Sequence, residues 1–261
     1  MATTDLVNPS SLPLQDRVAI VTGSSRGIGK AIAIHLASLG AKLVINYASN
    51  KDQADLVAEE INSCCSENTP HATVVQADIS VPAQVKLLFD EAERVFGSQV
   101  HVLVNSAAIA NTKHPTIANT LVEDFDLSIA EARSYAAKRQ QRELNRVVGV
   151  RIILLSSSSV GALRPNSATY TSSKAAVETM TKILAKELKG TGITANCVAP
   201  GAIATDMFFA GRSEELVKRV IECPHGRLGE TKDVAPLVGF LASDAGEWIN
   251  GQVIRVNGGS D

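Results

Sequence analysis

A chain of 261 residues with 45% hydrophobic residues and a formal net charge of -2 is long enough for one large α/β core; that charge excludes electrostatic recognition of nucleic acid or an anionic membrane. Its four cysteines, Cys64, Cys65, Cys197 and Cys223, have neither secreted-scaffold density nor the C-x-x-C pairing of a zinc site, so a reducing compartment and no metal centre are expected. Met1–Arg17 has no apolar core and carries Asp5 and Asp16, and no later run reaches about 18 uninterrupted apolar residues, which predicts no membrane span and a cytoplasmic location.

Along the chain, short apolar runs alternate with segments of helical periodicity, the pattern of a parallel sheet with right-handed crossovers. Strands are predicted at Arg17–Val21, Lys42–Tyr47, Ala72–Gln76, His101–Asn105, Arg151–Leu155, Ile193–Val198 and Gln252–Val256. Helices are predicted at Ile28–Leu39, Gln53–Asn62, Pro82–Phe96, Ser172–Leu188, Glu214–Ile221 and Lys232–Leu241. The basic stretch Lys138–Arg142 reads as a solvated helix face, and Trp248, near the final strand, as core. There is no internal repeat or low-complexity linker, so residues 1–261 are expected to form a single α/β domain, a doubly wound parallel sheet of Rossmann type with about seven strands.

The string TGSSRGIG, Thr22–Gly29, follows the first predicted strand and opens the first predicted helix. In that context glycines serve a phosphate: Gly23 permits the turn, Gly27 lets the backbone approach a pyrophosphate, and Gly29 permits close helix packing. Ser25, Arg26 and Ile28 complete the loop. At the end of the second strand, where an NAD site places a carboxylate on the ribose, stand Asn46, Tyr47, Ala48 and Ser49. With no carboxylate to repel a 2'-phosphate, and Arg26 in the loop, NADP(H) is favoured; Arg26 alternatively reads as a solvated surface charge. Asp78 and Ile79 follow the third strand, and Asn105, Ser106 and Ala107 the fourth, at the edge where dinucleotides bind. Asp78 suits the adenine, and the small residues leave room for adenosine and ribose.

The second motif, YTSSK at Tyr170–Lys174, sets a phenol and an amine four residues apart, one helical turn. A phenol works as an acid or base near neutral pH only beside a group that favours its anion, and a cation does so. Ser157, about 13 residues before Tyr170 and just past a predicted strand, is placed to bond the same substrate oxygen. The plain alternative is a polar strand exit at Ser156–Ser159 and a half-buried ring at 170.

Together these motifs resemble the short-chain dehydrogenase/reductase family over nearly the whole chain, with the nearest likeness to plant NADPH-dependent aldehyde or ketone reductases. The resemblance implies that Ser157 polarises a carbonyl, Tyr170 passes the proton, and Lys174 assists Tyr170 and holds the nicotinamide ribose. It also implies that Pro200, Gly201, Ile203 and Thr205 of APGAIAT border the nicotinamide, that NGQVIRVNGG at Asn250–Gly259 is the closing strand, and that the protein is a homo-oligomer, a dimer or tetramer.

The chain departs from the family mildly at NSAA (Asn105–Ala108), where the family has Asn-Asn-Ala-Gly, and more strongly over Leu127–Val150. There the family carries a helix beginning Val-Asn-x-Arg-Gly, whose asparagine holds a water in the proton relay; this chain reads LSIAEARSYAAKRQQRELNRVVGV. Codons can be chosen for the family-like string VNSRGSFLCCKEAAKR so that reading one base later gives SIAEARSYAAKRQQR, which is Ser128–Arg142, and a family-like VKPGGGG then gives Glu143–Gly149. The segment is therefore read as an out-of-frame version of the usual helix. Its large apolar residues between Glu131 and Arg146 are only Tyr135 and Leu144, a poor stripe for packing, which predicts a weakened family-type interface and a slower proton supply.

Asp206–Arg227 reads as a substrate lid, with Met207, Phe208 and Phe209 either a substrate wall or a packing cluster. Cys223, Pro224 and His225 offer too few ligands for a metal. The expected activity is NADPH-dependent reduction of an aldehyde, ketone or similar unsaturated carbon of a small molecule. The rival is a cofactor-binding pseudoenzyme or interaction protein, its turnover impaired by the altered segment.

Overall fold

Strands whose residues are buried without alternation need cover on both faces, and this is how the sheet is built. The computed structural model describes residues 12–64, 70–108, 116–120, 149–210, 214, 215, 217 and 224–260. Its strands are β1 (Val18–Thr22), β2 (Lys42–Tyr47), β3 (Ala72–Gln76), β4 (Val100–Asn105), β5 (Arg151–Leu155), β6 (Thr194–Pro200) and β7 (Val253–Val256). They form one seven-stranded sheet in the order β3-β2-β1-β4-β5-β6-β7, every pair parallel.

The helices are α1 (Gly27–Ser38), α2 (Lys51–Ser63), α3 (Pro82–Phe96), α4 (Ser159–Ala162), α5 (Ala168–Glu187), α6 (Asp206–Phe209) and α7 (Thr231–Ala242). Ala19 and Val21 of β1 point into a core shared with α1, α2 and α7, where Ile32, Leu36, Val57 and Val238 are buried. Val18 and Ile20 point the other way, against Val85, Leu88 and Phe89 of α3 and Val177 of α5. The period of two along one strand thus feeds two cores.

After β3 the chain crosses to the opposite side of β1 to make β4. The carboxyl ends of β1 and β4 therefore carry connections that diverge, which opens a crevice at that edge. At the amino edge, Arg17 donates from Nη2 to both carboxylate oxygens of the exposed Asp244, each at 2.6 Å, and the Asp244 carboxyl is held below its usual range by that contact. The fully buried Arg151 lies 3.6 Å from the same carboxylate.

The seven expected strands are all present, with ends moved by a residue or two. One shift matters: α5 begins at Ala168 and not at Ser172. The stretch ATYTS has no apolar periodicity, so its helical start is set by packing. Trp248 corrects another expectation: it follows a 3-10 turn (Asp244–Gly246) outside β7 and is 98% exposed. Neighbouring Ile249 fills the adjacent core position instead. Of the helix expected at Glu214–Ile221, Glu214, Glu215 and Val217 are described and helical; its other residues and most of segment 127–150 lie outside the described residues. Among the described residues no helix is long and apolar enough to cross a membrane.

Candidate active site

The loop after β1 is shaped by contacts that only small residues allow. Gly23 has φ +63°, and a Cβ there would stand 2.7 Å from the Cα of Ala107; a Cβ at Gly29 would stand 2.4 Å from the Gly23 carbonyl oxygen. Two backbones and a helix start are thereby brought together at the β1/β4 switch. Beneath them, the buried Thr22 hydroxyl donates to the Asn105 side-chain oxygen and accepts from the amides of Ser106 at 3.1 Å and Ala107 at 3.2 Å. Helix α1 starts behind Arg26 with no side-chain cap and no acidic residue in its first turn. Its leading amides are left for an anion. A glycine-lined cradle and an uncapped helix start with no acidic residue in its first turn fit the pyrophosphate of a dinucleotide.

Around this cradle the expected cofactor residues separate into two groups. Arg26, Ala48, Ser49 and Asp78 are exposed, and Ser25, Gly27, Ile28, Ile79, Ser106, Ala107, Gly201 and Thr205 are half-buried. Asp78 is already oriented, one carboxylate oxygen accepting from the Ser80 amide at 2.9 Å and hydroxyl at 2.7 Å. A Cβ at Gly27 would lie 3.6 Å from the Thr205 methyl, so Thr205 stands beside the loop, and its side-chain oxygen caps α6.

Asn46, Tyr47, Asn105, Pro200 and Ile203 are instead buried. Expected as cofactor contacts, these five have their side chains engaged within the fold: Tyr47 and Ile203 belong to the core beside α1 and α7, Asn105 is engaged by Thr22, and Asn46 has its side-chain amide turned inward.

At the neighbouring end of β5 the backbone stays extended along β6. The Ser156 amide donates to Val198 and the Ser158 amide to Pro200, each at 2.8 Å. Ser157 projects between them. Its hydroxyl oxygen accepts from the Ser159 amide at 3.2 Å, so its own proton is directed elsewhere. Lys174, 2% exposed, donates from Nζ to the Leu155 carbonyl at 3.2 Å and lies 5.6 Å from the centroid of the Tyr170 ring. Tyr170 and Lys174 share one face of α5, as the spacing predicts. Ser156 Oγ lies 3.0 Å from a Glu178 carboxylate oxygen and 3.2 Å from the Lys174 carbonyl, binding α5 to the strand end.

The lid residues divide. Phe208 is buried, while Met207 and Phe209 are 40% and 49% exposed, with Phe209 edge-on to Phe208 at 5.2 Å. His225 is exposed, Cys223 lies outside the described residues, and no metal-ligand cluster occurs among those described. Residue-by-residue reading passed over the Thr22 hydroxyl, the Leu155 carbonyl and the Ser159 amide. Two of these are backbone groups with no residue-type signal; a hydroxyl ending an otherwise apolar buried strand was the signal for the third.

This cradle, joined at one sheet edge to Ser157, Tyr170 and Lys174, defines a nucleotide-dependent oxidoreductase class. A family model described as Enoyl-(Acyl carrier protein) reductase matches residues 23–261, and the chain belongs to the short-chain dehydrogenase/reductase family. Among its relatives are two Arabidopsis thaliana proteins, NADPH-dependent aldehyde reductase-like protein, chloroplastic, and NADPH-dependent aldehyde reductase 2, chloroplastic. Each is 57% identical, with 99% of both chains covered. A solved structure, a blue fluorescent protein from a metagenomic library in complex with NADPH, is 34% identical with a TM-score of 0.84, covering 95% of this chain and 98% of that one. The chloroplastic relatives overturn the expected cytoplasmic location. Reduced cysteines and the lack of a long apolar run describe a plastid as well as a cytosol, so composition did not separate the two.

Proposed function

We propose that this protein is an NADPH-dependent reductase of small-molecule aldehydes or ketones. NADPH is what the relatives' names and the neighbouring complex state for those proteins, and the glycine cradle without a facing carboxylate supports it here. Gly23, Ser25, Gly27 and the start of α1 would hold the pyrophosphate, Asp78 the adenine, and Arg26, Ala48 and Ser49 the 2'-phosphate side.

When bound, the cofactor supplies a hydride to the carbonyl carbon. Ser157 directs its hydroxyl proton at the carbonyl oxygen, withdrawing electron density from the carbon. Tyr170 gives its phenolic proton to that oxygen as the alcohol forms. Lys174, seated on the Leu155 carbonyl, holds its ammonium beside the Tyr170 ring from which that proton leaves. The reverse reaction uses the same groups.

The single observation that carries this reading is the buried Lys174 held behind the Tyr170 ring at the end of β5. We extend the proposal to one domain over residues 1–261, a homo-oligomer, and a plastid location; sedimentation and a fluorescent fusion test the last two. The test of function is NADPH oxidation by purified protein against aromatic and aliphatic aldehydes and ketones, with Tyr170→Phe alongside. Turnover is expected in the native chain and lost in the variant. Stoichiometric NADPH binding without turnover would instead establish the pseudoenzyme.

A further inference from the structure

Three chain segments surround the nucleotide cradle: the glycine loop after β1, the end of β2, and the turn after β3 that carries Asp78. They leave a common sheet edge and need to keep their relative positions where the ladder stops. One side chain reaches across all three. Asn46, next to last in β2 and 2% exposed, accepts from the Gly23 amide with its side-chain oxygen at 3.1 Å. Its side-chain nitrogen donates to the Ala77 carbonyl at 3.0 Å. Its backbone completes the joint: the Ser24 amide donates to the Asn46 carbonyl at 3.0 Å, and the Asn46 amide donates to the Ser24 hydroxyl at 3.0 Å. That hydroxyl donates onward to Val21 at 2.7 Å.

The orientation of the amide is determined by its partners. Reversed, it would set an NH2 group against an N–H and a carbonyl against a carbonyl. β2 separates β1 from β3, so the side chain spans two strand positions where no direct backbone bond between Gly23 and Ala77 is available. Its partners are a residue held at φ +63° in the pyrophosphate loop and the residue immediately before the adenine-side carboxylate. Both ends of the amide are used, and the group lies under the rim.

We propose that Asn46 is a positioning residue: it sets the distance between the pyrophosphate loop and the adenine-side turn, so it governs affinity for the part of the nucleotide common to NADPH and NADH. It does not touch the 2'-phosphate, whose recognition belongs to the exposed residues beyond it. An aspartate cannot replace it, because a carboxylate oxygen would face the Ala77 carbonyl and a charge would be buried. This inference rests on the dinucleotide reading above.

The test is the dissociation constant for NADPH and, separately, for NADH, read from nucleotide fluorescence with native protein and Asn46→Ala, with thermal melting to verify folding. Both nucleotides are expected to weaken by the same factor, roughly tenfold, as for loss of two buried hydrogen bonds at the low end of their usual range. Turnover at saturating NADPH is expected to stay within about twofold, so the effect falls on the nucleotide KM and not on kcat. Should Asn46→Ala not fold, Asn46→Thr is read instead; it suits a strand, and its single hydroxyl reaches at most one of the two partners, so a smaller weakening, again equal for both nucleotides, is expected. Weakening of NADPH alone would overturn the proposal by making Asn46 a 2'-phosphate contact, and so would unchanged affinity for both. Failure of the native chain to bind either nucleotide would refute the dinucleotide reading itself, and the proposal with it.

Discussion

Thr22→Val isolates the hydroxyl beneath the cradle, because the two side chains have nearly the same shape and the site is fully buried. The hydroxyl is used to capacity, donating once to Asn105 and accepting from the Ser106 and Ala107 amides. At about 1 kcal/mol for each bond, the substitution is expected to cost ~3 kcal/mol. For a chain of this length that is a fall of roughly 6–12 °C in melting temperature. Denaturant unfolding gives the free energy, and NADPH titration the accompanying loss of affinity as the Ser106–Ala107 turn moves from Gly23. A valine variant within about 0.5 kcal/mol of native, with unchanged NADPH affinity, would refute the argument that this hydroxyl joins β1 to β4.

Other expectations concern pH, thiol chemistry and the altered segment. His101 accepts from the Val18 amide at its Nδ1 at 3.1 Å, and burial, with Arg17 nearby, pushes its pKa below the usual value of 6.5. The unfolded chain therefore takes up the proton first; the stability His101 contributes is complete above about pH 6.5 and is lost as pH falls below it. His101→Gln should flatten the fall in melting temperature between about pH 6.5 and 5, and an unchanged slope would count against it. Burial pushes the Cys197 thiol up to about 12, so peptide mapping after iodoacetamide treatment of native protein at neutral pH should find Cys197 unlabelled and the exposed Cys64 labelled. Replacing residues 127–149 with the in-frame family-like string VNSRGSFLCCKEAAKRVKPGGGG should raise kcat and increase the sedimenting mass; no change in either would show that the altered segment limits neither proton supply nor assembly.

The fold was legible because its strands are buried on both faces: VAIVT and RIILL in this chain admit little but an interior parallel strand. Tyr170 and Lys174 were legible for a local reason, since a spacing of four fixes a shared face on any helix. Asn46 and Tyr47 were less so. Sequence placed them at the right edge, but whether a strand's last residue looks outward or remains under the rim depends on where the ladder ends, and β2 pairs with β3 as far as Tyr47. Trp248 misled because hydrophobicity states a preference for burial and not the location of available core. Ile249 and Ile254 already occupy that side of the sheet.

The bond from Lys174 to the Leu155 carbonyl bears on how much change this enzyme tolerates. A peptide oxygen is supplied by whatever residue occupies position 155, so point substitution there leaves the ammonium its acceptor so long as the strand persists. β5 runs from Arg151 to Leu155 and is held between β4 and β6 by ladder bonds. The lysine's acceptor is therefore inherited with the backbone of the strand, and a change of side chain at position 155 passes over this part of the chemistry.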